Sequence, residues 1–147
     1  YDRKRYLERK EDLYESQKRW RKETKGNVEA QRRRYYTPRG RLLMILNSVK
    51  GRAKSKGLDY DLSPEWILNK WEECEGKCEI TGIEFVFRDE GNRANPYSLS
   101  LDRVDNTKGY TKENVQLVVW IYNAAKATGT HEQVVNFSKK LLENDKT

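Results

Sequence analysis

Apolar residues in the middle of the chain recur at the spacing of a buried helix face. From Arg41 onward they fall three or four positions apart, at Leu42, Ile45, Leu46, Val49 and Ala53. A helix presents one face to a protein core with this period. The pattern therefore predicts a core-facing helix that follows the TPRG punctuation and ends near Gly57.

A second helix is predicted to begin at Ser63 and Pro64. Serine is a preferred N-cap residue, and proline is favoured in the first helical turn. Helical spacing then buries Ile67, Trp71 and Cys74, so packing is a sufficient explanation for this cysteine.

The pattern changes to strand-like alternation after residue 80. The alternating residues Ile83, Phe85 and Phe87 predict a first strand, followed by a polar stretch over 89–96. Two further strands are predicted near 98–104 and at 115–119, on either side of a turn at 106–109.

The C-terminal part is predicted to be helical. A short helix over 121–128 ends at Gly129, and Thr130 with Gln133 forms a capping box for an amphipathic helix over about 131–144. The predicted fold class is α+β, mostly helical, with a small antiparallel hairpin that runs into a helix.

Positive charge is concentrated in the first third of the chain. Residues 1–41 contain 15 Lys and Arg against 7 Asp and Glu, a net charge of +8, whereas residues 42–147 contain 15 against 16, a net charge of −1. This asymmetry predicts a polyanionic partner, either nucleic acid or an acidic membrane surface. We divide the chain into a basic helical arm, 1–41, and a second domain, 42–147.

Three basic boxes that end in an aromatic residue recur in the arm. RKRY ends at Tyr6, QKRW at Trp20 and RRRY at Tyr35, with spacings of 14 and 15 residues. Four helical turns take about 14.4 residues, so one continuous helix would align the aromatic residues, with successive boxes roughly 22 Å apart. This geometry suits a phosphate backbone. The predicted DNA contacts are Arg19, Trp20, Arg32, Arg33, Arg34 and Tyr35.

The arm also has a purely structural explanation. A solvated, charged helix could rest its aromatic residues against the rest of the protein. Gly26 and Asn27 could also break the helix and spoil the alignment.

Two cysteines, Cys74 and Cys78, are too few for a disulfide framework. The sequence has no run of 18 apolar residues and no signal-peptide h-region. We therefore expect a soluble, cytoplasmic monomer with no membrane partner. The chain starts at Tyr1 without a methionine, so either its N-terminus is trimmed or it is a piece of a longer protein.

The stretch from Cys78 to Lys126 contains LDRVDNTKGYTKENVQL and resembles the HNH endonuclease family, the ββα-metal nucleases. It is most similar to small HNH-type proteins of phages and mobile elements, which would work in the host cytoplasm. In the family pattern, Asp102 matches the aspartate that ends the first strand, and Asn114 matches the asparagine that opens the second. Asn123 matches the last position, nine residues later on the helix.

The resemblance implies a divalent-metal site held by Asp102 and Asn123. A carboxylate and an amide oxygen that converge from strand and helix suit Mg²⁺ or Mn²⁺. Lys126, about one helical turn past Asn123, could contact the phosphate being cleaved, and Asn114 would tie the turn together. Each residue also has a structural explanation, as a turn residue, an exposed strand end or a solvent-facing helix residue.

Arg103 stands where the general-base histidine of the family usually lies. A guanidinium stays protonated at neutral pH and cannot accept a proton from water, but it can bind phosphate and stabilise transition-state charge. Three explanations stay open: Tyr110 or His131 acts as the base, metal-bound water is activated without one, or the site no longer cuts. The predicted catalytic residues are Asp102, Arg103, Asn114 and Asn123.

A second departure from the family concerns zinc. Many HNH proteins hold a structural zinc with two CxxC pairs, whose positions here are Cys78, Thr81, Val119 and Tyr122. One thiolate cannot complete a tetrahedral zinc site, so we predict no structural zinc. We expect Val119, Trp120 and Tyr122 to brace the unit by packing instead.

The sequence thus predicts a divalent-metal-dependent endonuclease or nickase that hydrolyses double-stranded DNA, with the basic arm gripping the duplex. The alternative is an HNH-like module that has lost its base and binds nucleic acid or a protein partner without cutting. A membrane-surface arm is less attractive, because KEDLYE interleaves acidic residues. The predicted nuclease domain comprises helices over 42–74, a ββα unit over about 78–128 and a C-terminal helix over about 131–144.

Overall fold

We describe the fold from a computed structural model of the chain. The structure describes residues 3–87 and 95–146, and within these it describes all side chains except those of 3–9, 28 and 31–35. The regular elements of the described residues are helices and one two-stranded sheet, which confirms the predicted α+β class. The chain divides into two compact units, Tyr1–Tyr35 and Tyr36–Thr147.

The first unit is a single helix. Helix α1 spans Arg3–Tyr35 and continues through Gly26 and Asn27, so these two residues do not break it. The helical backbone brings positions 6, 20 and 35 to the same side of α1, as the spacing predicted. The side chain of Trp20 is exposed, whereas those of the first and third boxes lie outside the described residues.

Two helices open the second unit, and their caps explain their starts. Helix α2 spans Pro38–Lys56, with the Thr37 hydroxyl accepting a hydrogen bond from the backbone of Gly40, and it ends at the left-handed Gly57. Helix α3 spans Pro64–Glu73 behind the predicted N-cap Ser63. Both predicted helices are confirmed, although the predicted domain boundary at residue 41 lies inside α2.

The sheet is an antiparallel hairpin. Strand β1 spans Leu99–Arg103 and strand β2 spans Val115–Val119, paired so that residue 102 lies opposite Gln116. Both strands agree with the prediction.

The prediction of a strand at residues 83–87 is wrong. This described segment contains only an isolated bridge between Glu84 and Lys77. Its alternation serves packing instead, because the rings of Phe85 and Phe87 lie 5.7 and 5.5 Å from that of Trp71. Most of the polar stretch predicted over 89–96 lies outside the described residues.

Two helices follow the hairpin. Helix α4 spans Trp120–Lys126 and starts directly after β2, without a side-chain cap. Helix α5 spans His131–Glu143, and the predicted capping box of Thr130 and Gln133 is confirmed. No described helix is both long and apolar enough to cross a membrane.

The core of the second unit includes both faces of the hairpin. Leu117 and Val118 point to opposite faces of β2, yet neither is exposed. The hydrophobic residues with at most 1% exposure are Leu42, Val49, Ala53, Ile67, Leu99, Leu117, Val118 and Val119. The short hairpin is therefore stabilised by packing on both faces.

The turn after β1 is held against the loop between α2 and α3. The backbone NH of Tyr110 donates to the Asp59 carbonyl at 2.8 Å, and that of Lys112 donates to the Asp61 carboxylate at 2.7 Å. A side chain at Gly109 would put its Cβ 2.7 Å from the Asp59 nitrogen and closer still to its carbonyl oxygen. Only glycine allows this approach of two backbones.

We therefore expect Gly109→Ala to lower the free energy of unfolding by roughly 1 to 3 kcal/mol, because two backbones must separate to admit the methyl group. Urea unfolding measures the change. Gly51→Ala is the matched control: its Cβ would meet nothing within 4 Å in α2, so it should be neutral or stabilise by up to about 1 kcal/mol. Equal effects of the two substitutions would contradict the close approach at Gly109.

Candidate functional site

Asn114 binds the turn that precedes β2. Its amide NH₂ donates to the carbonyls of Asp105 and Gly109 at 3.0 and 2.8 Å, and its amide oxygen accepts from the Asp105 backbone at 2.9 Å. The side chain is 5% exposed. Asn114 thus fixes the geometry of the strand that carries Asp102.

Asp102 is a buried carboxylate, 3% exposed, on the hairpin face that also carries Ser100. Its Oδ1 accepts from Lys126 Nζ at 3.0 Å, and its Oδ2 accepts from Gln116 Nε2 at 2.9 Å. Both carboxylate oxygens therefore have partners. The burial of Asp102 argues against the alternative interpretation of this residue as an exposed strand-end carboxylate.

Lys126 is buried as deeply as its partner, at 2% exposure. Its ammonium donates to the Arg103 carbonyl at 2.5 Å as well as to Asp102. The ion pair links the last residue of α4 to the end of β1. In this arrangement the ammonium points into the protein, whereas the sequence predicted a phosphate contact.

Asn123 also points at β1 from α4. Its Nδ2 donates to the Ser100 hydroxyl at 2.7 Å and to the Leu101 carbonyl at 3.2 Å. These bonds leave the amide oxygen of this half-buried side chain for another partner. The structure thus brings Asp102, Asn123 and Lys126 together between the hairpin and α4.

Arg103 lies on the opposite hairpin face from its neighbour Asp102, because successive strand residues alternate. Its guanidinium donates to the Lys108 carbonyl at 2.7 Å and lies 5.1 Å from the centre of the Tyr110 ring. The Arg52 guanidinium lies 5.9 Å from the same ring. The structure does not bring the Arg103 guanidinium to Asp102; it groups two arginines around one buried tyrosine.

His131 contacts the site through Tyr122. The Tyr122 hydroxyl and His131 Nδ1 lie 3.0 Å apart. Burial raises the pKa of Tyr122, the charge of Asp102 raises it further, and a hydrogen bond with Gln116 partly offsets both. The phenol therefore stays protonated at neutral pH and joins the polar groups around Asp102. Of the two candidate bases, His131 is exposed and Tyr110 is buried.

Gln116 and Arg52 were missed by sequence analysis. Gln116 lies opposite Asp102, but pairing the predicted strands symmetrically about the turn at 106–109 would put position 113 there, so sequence analysis did not give this register. No sequence signal brings Arg52, on α2, to the Tyr110 ring, because that contact depends on tertiary packing.

The four positions of the family's zinc site are occupied differently here. Cys78, Val119 and Tyr122 are buried in the core, whereas Thr81 is exposed. Trp120 is 44% exposed, so it contributes less packing than expected. The absence of structural zinc stays a prediction.

The chemistry of the donors around Asp102 decides which ion could bind there. In the described part of the chain, no cluster of three or more His, Cys, Asp or Glu could hold a metal, so an ion would rely on one carboxylate with amide or carbonyl oxygens. Asp102 and Asn123 supply such oxygens, which Mg²⁺ and Mn²⁺ prefer. The Lys126 ammonium, bound to Asp102 and to the Arg103 carbonyl, holds the position of a cation beside this carboxylate.

Neither protein-family models nor curated protein sequences match the chain. Among solved structures it is similar to the rare-cutting HNH restriction endonuclease PacI, with 18% sequence identity and a TM-score of 0.48. The match covers 69% of this chain and 76% of that one.

The buried pair generates a stability prediction. Lys126→Met should lower the free energy of unfolding at pH 7 by roughly 3 to 5 kcal/mol, because it leaves a buried carboxylate without its cation. Adding Asp102→Asn should recover much of the loss, since the double variant buries no charge. Urea unfolding of the single and double variants forms the cycle.

Lys139→Met, on the exposed surface of α5, is the charge-matched control and should change stability by no more than about 0.5 kcal/mol. A loss below about 1 kcal/mol for Lys126→Met would contradict a buried, uncompensated carboxylate.

Proposed function

We propose that this protein is a divalent-metal-dependent endonuclease that hydrolyses phosphodiester bonds in double-stranded DNA. The observation that carries the proposal is the convergence of Asp102 and Asn123 between β1 and α4. The Asn123 amide bonds the carbonyl of residue 101, directly before Asp102. This is the strand–helix arrangement that the resemblance to HNH nucleases implies.

Asp102 and Asn123 would hold Mg²⁺ or Mn²⁺. When bound, the ion would polarise a phosphate oxygen and make a water molecule a better nucleophile. Asn114 would contribute by fixing the turn, and so the end of β1, rather than by touching substrate. Its three hydrogen bonds to the turn support this positioning role.

Arg103 would bind a phosphate of the DNA rather than accept a proton. Its guanidinium stays charged, and one of its nitrogens is used by the Lys108 carbonyl. The nearby Arg52 guanidinium adds a second positive charge at the Tyr110 ring. Two arginines on one surface suit a run of DNA backbone.

The arm would supply most of the affinity for DNA. Arg19 and Trp20 are exposed on α1, and the basic residues at 32–34, with Tyr35, continue the same helix. A net charge of +8 in residues 1–41 favours a polyanion. We further propose that the protein works as a monomer that nicks one strand, and that it is a phage or mobile-element protein acting in the host cytoplasm.

The second candidate function is DNA binding without cleavage. The ion pair of Asp102 with Lys126 favours it, because the carboxylate already has a cation. Supercoiled plasmid incubated with Mg²⁺ or with EDTA separates the two functions. Nicking that requires Mg²⁺ supports the endonuclease; DNA binding without any metal-dependent nicking supports the binding module.

The first prediction from this proposal concerns the site. Asp102→Ala and Asn123→Ala should abolish metal-dependent nicking and leave DNA affinity near normal, because the ion acts in the chemical step. Arg103→Ala should instead weaken DNA binding and leave nicking at saturating DNA near normal, because its guanidinium lies on the opposite hairpin face from Asp102. Plasmid nicking and fluorescence anisotropy measure the two quantities.

Asn136→Ala, an exposed asparagine on α5, is the matched control and should nick like the natural sequence. Thermal unfolding checks that each variant is folded at the assay temperature. Metal-dependent nicking by folded Asp102→Ala would refute the proposed ligand.

The second prediction concerns the arm. Removing residues 1–35, which form their own unit, should weaken DNA binding and reduce the slope of log K against log salt by roughly one for each phosphate that the arm neutralises. Anisotropy at several salt concentrations measures the slope. An unchanged slope would mean that the arm does not bind the DNA backbone.

A further inference from the structure

The ammonium of Lys126 takes the position of a cation at Asp102. Its Nζ lies 3.0 Å from Asp102 Oδ1 and 2.5 Å from the Arg103 carbonyl oxygen, with the lysine side chain 1% exposed. We infer that Lys126 is the resident cation of the divalent-ion site, and that its ammonium and the ion compete for the same oxygens. Lys126 would then set the affinity of the site for the ion.

Charge balance makes the two cations mutually exclusive. One carboxylate neutralises one ammonium, and a divalent ion beside the same oxygen would meet a like charge at close range in a buried setting. The other carboxylate oxygen is bound by Gln116, which is neutral and adds no counter-charge. Binding of the ion at Asp102 therefore requires the ammonium to leave.

In this proposal the ammonium leaves while its helix stays in place. Lys126 is the last residue of α4, and the backbone just beyond it is held by Asn106, whose Nδ2 donates to the carbonyls of Ala127 and Gly129 at 3.2 and 2.9 Å. Rotation about the bonds of its flexible side chain would carry the ammonium toward solvent. There the ammonium would be available to a DNA phosphate. This inference rests on the proposed nuclease function.

Mn²⁺ titration by calorimetry tests the competition directly. Lys126→Met should bind Mn²⁺ about tenfold more tightly than the natural sequence, or tighter still, because no ammonium has to be displaced. Lys139→Met removes the same charge from an exposed position of α5 and should leave Mn²⁺ affinity unchanged. Adding Asp102→Ala to Lys126→Met should abolish the gain, which assigns it to this carboxylate.

Equal Mn²⁺ affinity of Lys126→Met and the natural sequence would overturn the inference. So would an equal gain in Lys139→Met, since it would reflect net charge alone. Absence of Mn²⁺ binding in every variant would overturn both the inference and the metal dependence of the proposed function.

If Lys126→Met does not fold, a measurement on the unaltered protein tests whether the ion displaces the Lys126 ammonium. Acetic anhydride labelling followed by mass spectrometry should find Lys126 protected in EDTA and several-fold more reactive in saturating Mg²⁺, with Lys139 equally reactive in both. Continued protection of Lys126 in Mg²⁺ would overturn the inference. Plasmid nicking is measured separately. Mg²⁺-dependent nicking with a protected Lys126 would contradict only the competition between ammonium and ion. Mg²⁺-dependent exposure of Lys126 without nicking would contradict only the proposed nuclease activity.

Discussion

A carboxylate buried to 3% exposure is the constraint on which the second unit depends. Asp102 must have a cation and hydrogen bonds, because an unpaired buried charge is far too costly. The cation comes from Lys126, 24 residues later, and the amide comes from Gln116 on the paired strand. These contacts therefore connect β1 both to β2 and to α4. They also explain how a helix of seven residues without a side-chain cap is stable: tertiary contacts hold it.

The residues that carry the family resemblance mostly build the scaffold. In DNTKGY, the side chain and backbone of Thr107 both donate to Asp105, which lowers the pKa of that carboxyl. Asn106 donates a hydrogen bond to the carbonyl of Ala127, just beyond the end of α4. Because Gly109 has no side chain, the loop between α2 and α3 can approach its backbone closely. Asn114 then closes the turn. A motif of this kind identifies a turn geometry, and the chemistry depends on the few residues that the turn positions.

Local patterns predicted the elements whose causes are local. The helices after Ser63 and Thr130 start at their caps. Strand β2 matches the predicted range, with the polar turn before it and α4 directly after it. The alternation at 83–87 gave a wrong strand prediction, because Phe85 and Phe87 pack against Trp71. An alternating pattern reflects which side chains are buried and does not require a paired strand. Alternate strand facing, by contrast, is enough to explain why the side chains of Asp102 and Arg103 diverge.

The burial of Lys126 could not be predicted in this way. Helical spacing put it near Asn123, but whether its ammonium faces solvent or protein depends on the hairpin register and on where α4 packs. This tertiary result changes the relation between metal and fold. In proteins whose ligands are uncompensated without metal, folding and metal binding are one event. Here the resident ammonium balances Asp102, so the fold is charge-balanced without an ion. In the proposed function, DNA affinity would come from the arm rather than from the buried pair, so an exchange of one cation for another at Asp102 would leave the arm untouched.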